Sequence, residues 1–185
     1  MPTIISISGE RGSGKDTIAA ILVNEYGYKK LAFADSVKDS LSVIFGWDRI
    51  MLEGIGEEAR KIRELPDPYW SKKLNIPNFS PRFAMLHYGT EIMRSWLPDI
   101  WVLSLEKKLS TATTNIVVTD SRFINELTML SSHSAKMTLV NRPSLISTYN
   151  HKSDMEWKSF ANYSHIWNNT GTLDDLRSQV KQFVS

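Results

Sequence analysis

The chain has 185 residues, a formal net charge of +2 and no cysteine. That length suits one domain with a well-buried core and leaves little room for a second. The near-neutral balance and the lack of a basic run give no argument for a nucleic-acid polymer as partner. The missing cysteine excludes disulfides, thiolate catalysis and cysteine-held zinc. No leader segment or apolar run of membrane-span length stands out, so a soluble, cytoplasmic protein is the expectation.

Residues 3–8 form a β-branched run that predicts a buried strand, and the stretch after it is Gly9-Glu10-Arg11-Gly12-Ser13-Gly14-Lys15-Asp16-Thr17. The Gly9-x4-Gly14-Lys15 spacing is that of a phosphate-binding loop. Glycines let consecutive backbone N–H groups curl round an anion, the following helix points its positive dipole end at it, and Lys15 reaches the outer phosphates. Ile18, Ile21 and Leu22 place the helix over Asp16 to Tyr26, and Gly27 stops it. The residue after the lysine is usually Ser or Thr, on Mg2+; here it is Asp16, with Thr17 one place later. An aspartate so close to phosphates repels them unless it binds metal, directly or through water, or polarises an acceptor. Asp16 is therefore a functional candidate.

Lys29 to Ala34 reads as a second strand. Asp35 or Ser36 then caps a helix carrying Val37, Leu41, Ile44 and Phe45, stopped by Gly46. Residues 47–79 show no regular period and read as a flap beside a substrate site; Arg60 to Glu64 also fits a charged helix face. Ser80-Pro81 starts a helix with Phe83, Leu86, Met93 and Leu97 as its stripe. Arg82, Thr90 and Arg94 share another edge at four-residue steps, which suits an anion or plain solvent. Asp99 opens a helix from Ile100 to about Leu109, carrying Trp101.

Ile116 to Asp120 is a third strand ending in an acid, which places Asp120 to meet Mg2+ or the acceptor. Arg122 begins a helix with Asn125 and Glu126, and its guanidinium can stabilise a transferring phosphoryl group or simply pair with Asp120 or Glu126. Lys136 to Val140 is a fourth strand, followed by Arg142, which can stack on a base. Residues 144–163, with His151, Asp154 and Glu156, have the composition of a lid. His165 to Trp167 is a fifth strand, and Thr172 caps a last helix with Leu173, Leu176, Val180 and Phe183 facing the core. Alternating strands and helices predict an α/β, three-layer fold: a five-stranded parallel sheet of order 2-3-1-4-5 flanked by helices, the order P-loop kinases use.

Taken together, these motifs resemble the deoxynucleoside monophosphate kinases of bacteriophages, within the P-loop NMP kinase-like group. The matching pieces are Gly12 to Thr17, Leu31 to Asp35 with Lys38, Asp67 with Trp70, Ser80-Pro81-Arg82, Gly89-Thr90-Glu91 with Arg94, and Asp99-Ile100-Trp101. Asp120-Ser121-Arg122 with Asn125-Glu126, Asn141-Arg142-Pro143 and Asn168 to Leu173 complete the set. The resemblance implies ATP and Mg2+ on Gly9, Gly12, Ser13, Gly14, Lys15, Asp16 and Thr17, with Arg142 near the adenine. It implies a dNMP acceptor on Lys38, Trp70, Arg82, Gly89, Thr90, Arg94, Trp101, Asp120, Arg122 and Glu126. Lys15, Asp16, Arg82, Asp120 and Arg122 form the implied catalytic set, with Asp16 and Asp120 toward the metal. Leu86 stands where the family often has a glutamine, so the base preference stays open, as does a homodimer. Kinases of other phosphorylated acceptors, of the dephospho-CoA or phosphomevalonate type, and a nucleotide-binding switch are the rival readings.

Overall fold

In the computed structural model, which describes residues 2–145 and 156–185, the chain divides into two compact units. The first comprises Met1–Ala32 and Leu105–Ser185, the second Phe33–Ser104.

The first unit is built on a parallel sheet of β1 (Ile4–Gly9), β2 (Lys29–Leu31), β3 (Ile116–Val118), β4 (Lys136–Asn141) and β5 (His165–Asn168), in the order β2-β3-β1-β4-β5. The expected order is the observed one. Alternation along the strands sends Ile5, Ile7, Val117, Val140 and Trp167 to one face. Helices α1 (Lys15–Tyr26) and α10 (Leu173–Val184) supply Ile18, Ile21, Leu22, Leu176 and Val180 to the same core. Buried on both sides, β1 reads as a continuous run, as central parallel strands do. Thr172 caps α10 by accepting from the Asp175 N–H, as its sequence predicts, but Leu173 stays exposed.

Helix α9 (Ile124–Ser132) packs on β4 and starts later than expected. Phe123 is its N-cap, so Arg122 precedes the helix rather than opening it. The buried Glu126 carboxylate accepts from the backbone N–H groups of Arg122 (2.8 Å) and Phe123 (3.2 Å), which satisfies amides at the helix mouth. Of the lid-like stretch, residues 146–155, with His151 and Asp154, lie outside the described residues; a short 3-10 turn spans Glu156–Ser159.

In the second unit α2 (Asp35–Phe45) follows an Ala34 N-cap that makes no side-chain bond, so neither Asp35 nor Ser36 is the cap. The expected irregular flap of 47–79 holds three short helices: α3 (Arg49–Glu53), α4 (Gly56–Glu64) and α5 (Pro68–Leu74). Asp48 and Asp67 start the first and third by accepting from the Met51 and Trp70 N–H groups. Phe45, Trp47, Trp70 and Phe79 pack together with ring centroids 4.5–5.9 Å apart. Aromatics that look loop-borne in the sequence thus form this unit's own small core.

Ser80 caps α6 (Pro81–Leu86), which runs through a π-helical segment, His87–Ile92, into α7 (Met93–Trp96). A π turn takes roughly one extra residue, and each residue turns a helix by about 100°. The stripe's phase therefore shifts between Leu86 and Met93. Phe83 and Leu86 are each 41% exposed, whereas Pro81, Ala84 and Gly89 are buried. The unit boundary falls within α8 (Ile100–Ser110).

Candidate active site

The first unit carries the glycine loop of Gly9 to Thr17. β1 ends at Gly9, whose φ is +144°, and a Cβ there would sit 2.9 Å from the Val140 carbonyl oxygen. Only glycine fits that approach to β4. The loop turns back through a Ser13 N–H to Glu10 carbonyl bond of 3.1 Å and enters α1 at Gly14, an N-cap with φ +109° and no side chain to bond the helix amides. The first-turn N–H groups of α1 are thus not capped by a side chain of Gly14, the condition for holding an anion there. Lys15 folds over the loop, its Nζ donating to the carbonyls of Gly9 (2.8 Å) and Glu10 (2.7 Å).

Asp16 does not face the loop alone. Lys30, on β2, donates to its Oδ1 at 2.7 Å, and the Thr119 hydroxyl, just past β3, donates to the same oxygen at 3.4 Å. Burial pushes the Asp16 carboxyl up, but the Lys30 hydrogen bond, the charges of Lys30 and Lys15 and the Thr119 bond outweigh it and hold the group below the ordinary carboxylate range. With its side chain 69% exposed, the group is ionised and reachable from solvent. Thr119 contact also brings the residue preceding Asp120 beside Asp16.

Thr17 and Arg122 are exposed and Asp120 is half-buried. Arg142 donates from Nη1 to the Gly12 carbonyl at 2.9 Å, and Asn169 donates from Nδ2 to the Ser13 carbonyl at 2.7 Å. A pocket of about 260 Å3 adjoins the loop, with Glu10, Ser13, Val140, Arg142, Trp157 and Ile166 among its walls. An ion pair of 2.6 Å ties Lys158 to Glu10 on its rim. The carboxylates Asp16 and Asp120 suit a hard divalent cation. Among the described residues no group of three or more metal-ligating side chains gathers. That is compatible with Mg2+, which takes one or two carboxylates and draws its other ligands from phosphates and water.

The second unit carries the other expected residues. It brings Gly89 and Trp101 together: the buried indole N–H donates to the Gly89 carbonyl, inside the π segment, at 2.7 Å. Thr90 lies beside them, half-buried. Arg82 and Arg94 take different polar partners. Arg82 Nε is 4.0 Å from Glu64, and Arg94 donates to the Pro98 carbonyl at 3.5 Å. Lys38 is buried, its ammonium 2.9 Å from Glu53 and 4.0 Å from Asp35. Trp70 donates to the Phe45 carbonyl at 3.0 Å and meets the Phe45 ring edge-on. Both side chains thus have partners within the unit.

Two residues escape a motif-led reading. Lys30 sits in a Lys-Lys pair that looks like a solvated edge strand, yet its register opposite Val117 turns it to the α1 side. Asn169 belongs to the Asn168 to Leu173 motif but carries no role there, and only the fold shows where its amide goes.

No family model matches the chain. A protein of Acanthamoeba polyphaga mimivirus described as "Putative deoxynucleotide monophosphate kinase" is 26% identical over 192 residues, covering 96% of this chain and 93% of that one. Among solved structures, Thermus thermophilus TT1252 aligns over 99% of this chain and 96% of its own, at 19% identity and a TM-score of 0.48. A gluconokinase from Sinorhizobium meliloti 1021 aligns over 98% and 93% (11% identity, TM-score 0.44). A dephospho-CoA kinase from Campylobacter jejuni aligns over 100% and 96% (17% identity, TM-score 0.44).

Proposed function

We propose that this chain is an ATP-dependent kinase of the P-loop type that transfers the γ-phosphoryl group to the 5′-phosphate of a deoxynucleoside monophosphate, giving ADP and a dNDP. The observation that carries the reading is the loop from Gly9 to Thr17. An uncapped helix mouth, glycines at positive φ and a lysine on a flexible stem stand together at the end of a central parallel strand. The acceptor class is supported by the distant mimivirus relative, at 26% identity, and by the ordered motifs that resemble the phage enzymes.

The acceptor phosphate is already anionic, so the transfer needs positioning and charge neutralisation more than a strong base. Lys15 leaves the Gly9 and Glu10 carbonyls to meet the outer phosphates of ATP. Arg122, exposed ahead of α9, adds positive charge at the transferring group. Arg82, Thr90 and Arg94 of the second unit bind the acceptor, and Gly89 with Trp101 shapes the helix that carries Thr90. Asp16 and Asp120 would hold the Mg2+ that such transfers use, directly or through water, and the ion would neutralise charge on the phosphates. The Glu126 carboxylate acts on the backbone of Arg122 and so fixes where that side chain leaves the chain.

The test is ADP release with ATP-Mg2+ and a panel of acceptors: the common dNMPs and NMPs, dephospho-CoA, phosphomevalonate and gluconate. Turnover with one or more dNMPs is expected, falling by orders of magnitude in Lys15→Ala and Arg122→Ala with the fold intact. Turnover confined to another acceptor overturns the dNMP assignment. Tight nucleotide binding with no acceptor-dependent ADP makes the protein a switch instead.

A further inference from the structure

Asn169 stands outside every role assigned above, yet its side chain reaches the backbone of the phosphate loop. Its place is fixed from behind, because its own N–H donates to the Asn141 carbonyl at 2.9 Å, where β4 ends. From there its Nδ2 donates to the Ser13 carbonyl at 2.7 Å, across 156 residues of sequence. The partner is a carbonyl oxygen, so the amide nitrogen and not its oxygen must face the loop. The approach is close. A Cβ on Gly14 would lie 2.5 Å from that nitrogen, so the absence of a side chain at Gly14 is what lets Asn169 in.

The described residues contain no cis peptide bond. In a trans peptide the C=O and the following N–H point in opposite directions across one rigid plane. Pinning the Ser13 carbonyl toward Asn169 therefore turns the Gly14 N–H away from Asn169. This peptide needs such a hold more than most. Gly14, at φ +109°, has no Cβ to restrict it, and glycine populates several backbone wells at little cost. A glycine peptide free to flip would present a carbonyl where an anion needs a donor. On the other side, Arg142 bonds the preceding carbonyl, that of Gly12.

We propose that Asn169 is a positioning residue of the phosphate loop: its side-chain amide locks the Ser13–Gly14 peptide in the orientation that offers the Gly14 N–H to a nucleotide phosphate. The proposal rests on the reading of Gly9 to Thr17 as a nucleotide loop and is independent of which acceptor is used. It implies that the turn after β5 tunes donor affinity without touching the acceptor.

The experiment compares wild type, Asn169→Ala and the near-isosteric Asn169→Asp by calorimetric titration with ADP and by steady-state kinetics with ATP and the best acceptor. ADP affinity is expected to fall about tenfold in Asn169→Ala, a loss of about 1.4 kcal/mol. It should fall further in Asn169→Asp, where a carboxylate faces the carbonyl. KM for ATP should rise in step while KM for the acceptor stays within twofold. Thermal midpoints of the nucleotide-free proteins separate this role from bracing alone. A lowered midpoint with ADP affinity unchanged in both variants overturns the proposal, and a loss spread equally over ATP and acceptor does too. Should Asn169→Ala fail to fold, Asn169→Asp carries the comparison. A wild-type protein that binds no ADP refutes the nucleotide reading itself, which is a distinguishable result.

Discussion

The Lys30–Asp16 pair invites the sharpest electrostatic test of the proposed nucleotide site, because it joins a carboxylate after the glycine loop to a lysine from a different element. In Lys30→Met the side chain keeps its approximate length and loses its charge. Folding should hardly notice. The two side chains are 39% and 69% exposed, and an ion pair so open to water contributes at most about 1 kcal/mol. Nucleotide binding should notice more, because Asp16 then faces the phosphates with one cation fewer beside it. A unit charge acting over ~7 Å at an effective dielectric of ~40–80 is worth about 0.6–1.2 kcal/mol, or roughly 3–8-fold in affinity per phosphate charge at that distance. Fluorescence titration with a labelled ADP in low and in high salt measures it. The expected result is a several-fold weaker dissociation constant in Lys30→Met at low salt, a smaller gap at high salt, and recovery in Lys30→Met/Asp16→Asn. Lys30 also helps to hold the Asp16 carboxyl low, so its removal should move Asp16 protonation upward and let acid restore part of the lost affinity. Groups facing Asp16 in this test are Lys30 of β2, Lys15 of α1 and Thr119 beyond β3. Equal affinities for wild type and Lys30→Met at low salt would show that the pair is ornamental.

Three other outcomes follow from single contacts. Gly9→Ala drives a Cβ to 2.9 Å from the Val140 carbonyl at a φ that side chains avoid, and should cost about 2–4 kcal/mol in chemical denaturation; a loss under ~0.5 kcal/mol contradicts it. Trp101→Phe removes the buried indole donor from the Gly89 carbonyl and should cost about 2 kcal/mol, seen as a Tm lower by about 4–8 °C, together with a raised acceptor KM. Asp67 is held below the ordinary carboxylate range by the Trp47 indole N–H first and by the Trp70 backbone N–H next, with burial opposing and the Tyr69 N–H adding to the effect. A depressed folded value stabilises the fold above the unfolded value of ~3.9 and loses that contribution as pH falls through the folded value. The stability gap between wild type and Asp67→Asn, from urea curves, should accordingly be widest near neutral pH and shrink below pH ~4; a gap independent of pH refutes the coupling.

The local and periodic parts of the chain were readable from residues alone. β1, the glycine loop and α1 follow one another without a break, and each obeys its own period, so nothing distant is needed to place them. The helix over Leu173 to Val184 announces itself through Thr172 and the spacing of Leu176 and Val180. What escaped reading has particular causes. In 47–79 the helices are too short to show a period, and α4 buries no residue at all. Asp48 and Asp67 cap the first and the third, and the run Arg60 to Glu64, which also fits a charged helix face, lies in α4. The π segment leaves no mark in composition, because one extra residue in a turn shifts the phase without changing the residues. Among the candidate site residues, Glu126 and Lys38 illustrate a general ambiguity. The contacts they make, a carboxylate with backbone amides and a lysine with two acids, cannot be read from the letters alone. Lys30 and Asn169 depend on strand register and on contacts across the whole chain, which spacing does not encode.

The ion network around α3 has a consequence for how the second unit responds to its medium. This five-residue helix buries one side chain, Leu52, and carries a dense set of ion pairs. Arg49 bonds Asp39 and Glu53 at 2.6 Å and lies 3.3 Å from Asp35, while Lys38 bonds Glu53 at 2.9 Å. Arg49 and Lys38 thus gather three carboxylates round this helix. A helix with so little apolar anchorage relies on forces that ionic strength screens within about 8–10 Å. Concentrated salt should therefore loosen α3 ahead of the aromatic core of Phe45, Trp47, Trp70 and Phe79, whose cohesion salt does not weaken. The second unit is in effect held by two kinds of fastening with opposite tolerance of brine, and Glu53, shared by both cations, is the point where the weaker one lets go.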